Sequence, residues 1–127
     1  MTASSVAKRV CGGAGGVPVV FVHSSAGSTA HWTPQLAHLR RTRRAVALDL
    51  RSHGQSASPP RDDYAVDSLA GDIAAVADGL KLKRFVLVGH GMGGAASLAH
   101  AGAHPERVAG LVVVGAPGKI PAEQAQL

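Results

Sequence analysis

The stretch RFVLVGHGMGG at residues 84–94, followed directly by AASLAHAGAH at 95–104, decides how this chain folds. Phe85, Val86, Leu87 and Val88 form an unbroken apolar, β-favouring run, which suits a strand buried on both faces. It breaks into Gly89-His90-Gly91-Met92-Gly93-Gly94, and the Ala-rich segment behind it favours a helix. The reading is a buried strand that turns sharply into a helix. Glycines in such a turn let strand and helix approach closely, and a non-glycine residue at its centre carries about 1–3 kcal/mol of backbone strain. The central position is Gly91, which has no side chain. Two nucleotide-binding alternatives fit poorly. The turn lacks the Gly-Lys-Ser/Thr ending of a phosphate loop, and it meets the G-x-G-x-x-G spacing only by being crowded with glycine. The next strand, residues 108–114, ends in Gly115-Ala116-Pro117, where a dinucleotide site wants an acidic residue.

Outward from this turn the chain alternates between strand and helix patterns. Strands are expected at 17–22, 45–50, 84–88 and 108–114, and helices at 33–41, 66–80 and 92–103. Trp32, Leu36 and Leu39 share one face of the first helix. Leu69, Ile73, Val76, Ala77 and Leu80 recur at helical spacing in the second, with Asp67 as its expected N-cap. Strands that are apolar throughout and alternate with helices specify a parallel sheet covered on both faces, hence a three-layer α/β/α arrangement. Residues 1–16, ending in Gly12-Gly13-Ala14-Gly15-Gly16, read as a flexible lead-in or the remnant of an earlier hairpin, and residues 17–127 as one partial domain.

Composition sets bounds on function. The 127 residues carry a formal charge of +5, but the basic residues cluster at Arg40-Arg41-Arg43-Arg44 and Lys81-Lys83-Arg84, which are helix ends. Cations there complement the helix dipole, so the charge argues for a wet surface and not for nucleic acid. The one cysteine, Cys11, excludes an internal disulfide and suggests a reducing compartment, here read as cytoplasmic. The seven histidines show no metal-ligand spacing with carboxylates or thiols, so no metal is expected. No run approaches the roughly 20 apolar residues of a membrane span.

His23 to Gly27, Asp49 to Ser56, Tyr64 to Ile73 and His104 to Val108 match, in that order, four motifs across residues 17–117, and together they resemble the α/β-hydrolase superfamily. His23-Ser24-Ser25-Ala26-Gly27 after its strand resembles the His-Gly-x-x-Gly oxyanion loop. Asp49-Leu50-Arg51-Ser52-His53-Gly54-Gln55-Ser56 resembles the D-x-R-G-H-G-x-S loop. Tyr64 to Ile73 is similar to the Y-x-x-x-x-L-A-x-D-L helix start, and His104-Pro105-Glu106-Arg107-Val108 to the H-P-E-R-V strand entry. The central turn then resembles the nucleophile elbow G-x-S-x-G. Three departures fall in the three loops around the family's pocket: Ser24 and Ser52 stand where the family has glycine, and Gly91 where it has serine or aspartate.

The resemblance implies a sheet ordered 45–50, 17–22, 84–88, 108–114, with apolar edges on both sides and a ligand crevice at the carboxyl ends of the strands. It implies a cofactor-free hydrolase of esters or related bonds. Backbone N–H groups of Ser25 and Met92 match the family's oxyanion donors, each worth about 3–4 kcal/mol in a transition state. His23, Ser24 and His90 would border the ligand, while Asp49 and His53 match structural positions. The nucleophile side chain is absent, and after Gly91 the chain offers only Glu106, Glu123, His100 and His104, none beyond a later strand where the triad's acid and histidine belong. Ser24, Ser25 or Ser52 could be imagined as substitutes, but a loop serine without a partnered base is a weak nucleophile and a common turn residue. The expectation is therefore a truncated fold, catalytically defective as written, that still binds an ester or carbonyl ligand. The alternative is a non-catalytic small-molecule-binding or protein-interaction module. Self-association, or capture of a complementary C-terminal fragment, is expected at the exposed sheet edges.

Overall fold

A central sheet of five strands organises the chain, in a computed structural model that describes residues 5–13, 15–59 and 63–115. Strands β1 (Lys8–Cys11), β2 (Val19–Val22), β3 (Ala45–Leu48), β4 (Phe85–His90) and β5 (Val108–Val114) lie in the order β1-β3-β2-β4-β5. The last four are mutually parallel, and β1 runs antiparallel to β3. Helix α1 (Thr33–Leu39) covers one face; α2 (Val66–Gly79) and α3 (Met92–Ala103) pack on the other. The fold is the expected α/β/α arrangement with a mostly parallel sheet.

The pleat explains the two cores. Successive residues of a strand face opposite sides of the sheet. Val20 and Val22 of β2 join Val46 and Leu48 of β3, Phe85 and Leu87 of β4, and Leu69, Ile73 and Val76 of α2. The alternate residues Val19, Phe21, Ala45 and Ala47 pack with Leu36 of α1, flanked by Trp32, Leu39, Val86 and Val88. The Phe21 and Trp32 rings stand 4.8 Å apart. Over β4 and β5 that second layer thins, so Val86 and Val88 are only half-buried, and Val112 and Val114 are 48% and 50% exposed.

Three expectations need correction. The lead-in is not free of structure: residues 8–11 form the edge strand β1, and Val6 before it is buried in the core. The 45–48 strand is therefore covered, not an apolar edge. The N-cap of α2 is Ala65, with no side-chain cap, while Asp67 lies in the first turn. Asp63 performs the capping work from outside, accepting from the Ala65 N–H at 3.3 Å and the Ser68 hydroxyl at 2.7 Å. Expectations touching residues 1–4, Ala14, the Pro60 end of the Ser/Pro-rich loop and residues 116–127 lie outside the described residues.

One charged pair is buried in this frame. Asp72 on α2 and Arg51 after β3 are 1% and 5% exposed, and Arg51 Nη2 donates to Asp72 Oδ1 at 2.8 Å. The carboxylate also accepts from the Arg51 backbone N–H at 3.0 Å, and the guanidinium donates to the Ser68 and Asp63 carbonyls. The Asp72 hydrogen bonds, set against partial burial, raise the Arg51 pKa above its ordinary value. A lone buried charge costs far more than a fully satisfied pair. Replacing Asp72 with Ala should cost about 3–5 kcal/mol in urea unfolding, because Arg51 is left buried and unpaired. A loss below 1 kcal/mol would show that Arg51 escapes to solvent.

Candidate functional site

Three loops meet at the carboxyl ends of β2, β3 and β4, and glycines set how closely they meet. Gly91 sits between β4 and α3 at φ 56°, ψ −121°, a backbone that L side chains rarely adopt. The flanking glycines are required by contact. A Cβ on Gly89 would fall 2.5 Å from the Gly93 carbonyl and from Ser97 Oγ. One on Gly93 would overlap the carbonyls of Val22 and His23. The helix thus rests directly on the end of β2. Its first turn is tied down by Ser97, whose hydroxyl donates to the Gly93 carbonyl at 2.7 Å, and the Gly91 N–H donates to the Val114 carbonyl at 2.9 Å.

His23, expected at the ligand, is wholly buried. Its Nε2 accepts from the Leu50 N–H at 2.9 Å, which leaves Nδ1 to donate to the Ser24 carbonyl at 2.7 Å. The ring is a strut between the loops after β2 and β3. Burial pushes its pKa below the ordinary histidine value, against the opposing pull of the Ser24 hydrogen bond. Asp49, also buried, performs a second tie: Oδ1 accepts from the Thr29 N–H at 2.8 Å and Oδ2 from the Gln55 N–H at 3.0 Å. The carboxylate lies where a Cβ on Gly54 would stand. His53 donates from Nδ1 to the Arg51 carbonyl at 2.9 Å and places its ring 5.0 Å from that of His23. Ser52 holds a left-handed φ of 62°, the conformation for which glycine is the unstrained choice, and its hydroxyl pairs with Ser58 and Tyr64.

Of the expected site residues, Ser24, Ser25, Gly91 and Met92 are brought together. Ser24 lies against the turn, since its Cβ would be only 3.1 Å from a Cβ on residue 91. The Ser25 hydroxyl reaches Met92 Sδ at 3.6 Å. Among the described residues, no hydrogen bond uses the N–H of Ser25 or of Met92. His90 is exposed at the end of β4, pairs in register with Val114, and sets its ring beside Gly115. His100 is buried between helices and its ring stands 5.7 Å from that of Phe85; His104 ends α3. At about 1.5 Å per residue, His100 lies roughly 14 Å along α3 from Gly91, too far to serve it as a base. Among the described residues, no three His, Cys, Asp or Glu side chains are grouped to hold a metal ion, and no helix is long and apolar enough to cross a membrane.

The Arg51–Asp72 pair was missed from sequence, although both residues stand inside quoted motifs. The available signal was an acidic residue on the apolar face of the 66–80 helix, between Leu69 and Ile73.

A family model for the alpha/beta hydrolase fold matches residues 17–126. The chain is 43% identical over 106 residues to a 2-hydroxy-6-oxo-2,4-heptadienoate hydrolase of Pseudomonas putida, covering 81% of the chain and 38% of that protein. It is 42% identical over 108 residues to the dihydrolipoyllysine-residue acetyltransferase component of an acetoin cleaving system from Pseudomonas putida, covering 84% of the chain and 29% of the relative. Among solved structures, a thermophilic esterase from Thermogutta terrifontis superimposes with a TM-score of 0.87 at 29% identity, over 95% of the chain and 44% of the esterase. The chain thus spans well under half of each of these proteins.

Burial gives the molecule a pH dependence. Burial, then the nearby charges of His104 and Arg107, lowers the His100 pKa to about 4, and burial lowers that of His23. A histidine with a depressed folded pKa stays neutral in the native state while the unfolded chain takes up the proton. Its stabilisation is complete above the unfolded value of about 6.5 and is lost as pH falls from there toward the folded value. Melting temperature should therefore fall steadily between about pH 6.5 and pH 4, and His100→Leu should flatten part of that slope. A melting temperature that is level across this window would contradict the neutral burial of both rings.

Proposed function

The chain belongs to the α/β-hydrolase fold family, and we propose that its crevice binds an ester, acid or carbonyl compound without cleaving it through residue 91. The observation that carries this reading is Gly91: the turn keeps the strained elbow geometry, with φ 56° and ψ −121°, but presents no side chain. The relatives named above support ester-type and related chemistry as the ancestral activity. In the family's scheme an attacking side chain forms a covalent intermediate and a histidine activates it. Here residue 91 itself offers no attacking side chain, and no described hydrogen bond pairs a histidine with a hydroxyl at the turn, whereas the two backbone donors do not depend on a side chain. Among the described residues the N–H groups of Ser25 and Met92 have no hydrogen-bond partner; they lie on a loop and at a helix N-terminus, where partial positive charge favours a carbonyl oxygen or a carboxylate.

Catalysis by the triad is cooperative, so restoring one member recovers little. On short p-nitrophenyl esters, both the chain and its Gly91→Ser variant should show no saturable turnover. Titration with butyrate, followed by amide NMR, should shift Ser25 and Met92 first. Saturable turnover by the unaltered chain, or shifts confined to other residues, would overturn the reading.

A second reading, an interaction module, is favoured by β5. Its outer edge is unpaired among the described residues, and Leu111, Val112 and Val114 are exposed. An exposed apolar strand edge is a template for another strand. Light scattering after size exclusion should show the chain self-associating, and Val112→Lys should shift it toward monomer. A monodisperse monomer at high concentration would exclude this reading.

A further inference from the structure

The two unusual residues flanking the crevice are sterically linked. A Cβ built on Gly91 meets Ser24 first: it would lie closer than 3.0 Å to the Ser24 hydroxyl, a separation that real Cβ atoms essentially never show, and 3.1 Å from Ser24 Cβ. Rotating the Ser24 side chain about χ1 removes the first contact, but Cβ does not move with that rotation. The second contact is relieved only by moving the backbone of the loop. That backbone is pinned at the same residue, because the Ser24 carbonyl accepts from His23 Nδ1 at 2.7 Å and from the Gly27 N–H at 3.0 Å. His23 is in turn wholly buried and held by the Leu50 N–H. The remaining near atom, Ser24 Cα at 3.7 Å, is at ordinary van der Waals distance.

We infer that Ser24 occupies the seat of the missing elbow side chain, so that a side chain at position 24 and one at position 91 compete for the same space. The two departures are then one event in space. Gly91 leaves a gap above the turn, and Ser24 fills it with a methylene and a hydroxyl delivered from the opposite loop. Ser24 is accordingly a positioning residue: it sets how much a side chain on the turn costs. It follows that Gly91→Ser alone is blocked on two counts, the strained backbone and the occupied seat, and that Ser24→Gly relieves only the second.

The inference concerns packing, so its test needs no activity and stands apart from the ligand reading above. Gly91→Ala, which adds the Cβ alone, would be introduced into the otherwise unaltered chain and into Ser24→Ala, Ser24→Gly and Ser25→Gly backgrounds, and each melting temperature measured. Steric overlap between neighbours makes substitutions non-additive. The drop caused by Gly91→Ala should be at least about 5 °C smaller with Ser24→Gly than with Ser24 present, and intermediate with Ser24→Ala, which keeps Cβ but loses the hydroxyl. Ser25→Gly should leave the drop unchanged, because the Ser25 hydroxyl turns toward Met92. Folding of the Gly91→Ala chain only when Ser24→Gly accompanies it would also support the inference. Equal drops in all four backgrounds, or failure of Gly91→Ala to fold in every one, would overturn it by placing the whole penalty in the residue 91 backbone.

Discussion

The contact between the first turn of α3 and the end of β2 is the constraint on which the site depends. Gly93 lies against the carbonyls of Val22 and His23, and Gly89 against Gly93 and Ser97, at separations that leave no room for a Cβ. Helix and sheet ordinarily keep a layer of side chains between them, whereas here backbone meets backbone. That approach puts a helix N-terminus, with its unsatisfied N–H groups, at the mouth of a parallel sheet. It also forces the sharp turn that gives Gly91 its positive φ. The close meeting of turn and loops is thus a consequence of glycine spacing in β4 and α3.

What holds the other two loops against that turn is a set of neutral or fully satisfied polar ties. His23 bridges the loops after β2 and β3 as a neutral ring with one donor and one acceptor used. Asp49 bridges them again through two backbone N–H groups, and Arg51 carries the tie on to α2 through Asp72. Each of these three side chains has its polar atoms paired, which is the condition under which such groups rigidify a site and do not weaken it. The pinned loop is the reason Ser24 cannot simply move aside. That rigidity surrounds a turn whose central residue, Gly91, has no side chain.

Legibility in the sequence followed the range of the interaction. The four parallel strands and the three helices were readable because apolar periodicity is local and strong, whereas the strand order came only from the resemblance; Met92–Ala103 and Val108–Val114 coincide with expectation end to end. Strand β1 was not readable. Lys8-Arg9-Val10-Cys11 has no clear alternation, and it becomes a strand only by pairing with β3, an interaction that sequence pattern does not record. His23 was placed at the ligand because its motif borders the pocket, yet its direction is fixed by the Leu50 N–H some 27 positions away. Asp67 had the right chemistry for a cap but sits past the helix start, since Val66 is already helical. The clash between positions 24 and 91 is likewise a meeting of segments 67 residues apart in number, invisible until both loops are laid on the same turn.

The two edges of the sheet show how unevenly the chain manages its own surface. On the β3 side, β1 shields the apolar interior with an antiparallel strand bearing Lys8 and Arg9, both exposed, and Arg9 Nη1 reaches across to the Thr33 hydroxyl. Charged side chains and a short length are the usual means of making an edge unattractive to other strands. On the β4 side, β5 has seven residues without a charge, and its outer half is exposed valine and leucine. An apolar strand of that length is the pattern of a sheet interior, not of a finished edge. The same asymmetry appears in the layers, where α1 lies over β2 and β3 and leaves the corresponding face of β5 open. The crevice and the open edge are adjacent, because the Gly91 N–H is bonded to the carbonyl of Val114, the last residue of β5. Whatever pairs with β5 therefore acts one hydrogen bond away from the turn, and a strand added there would steady the residue on which the candidate site is centred.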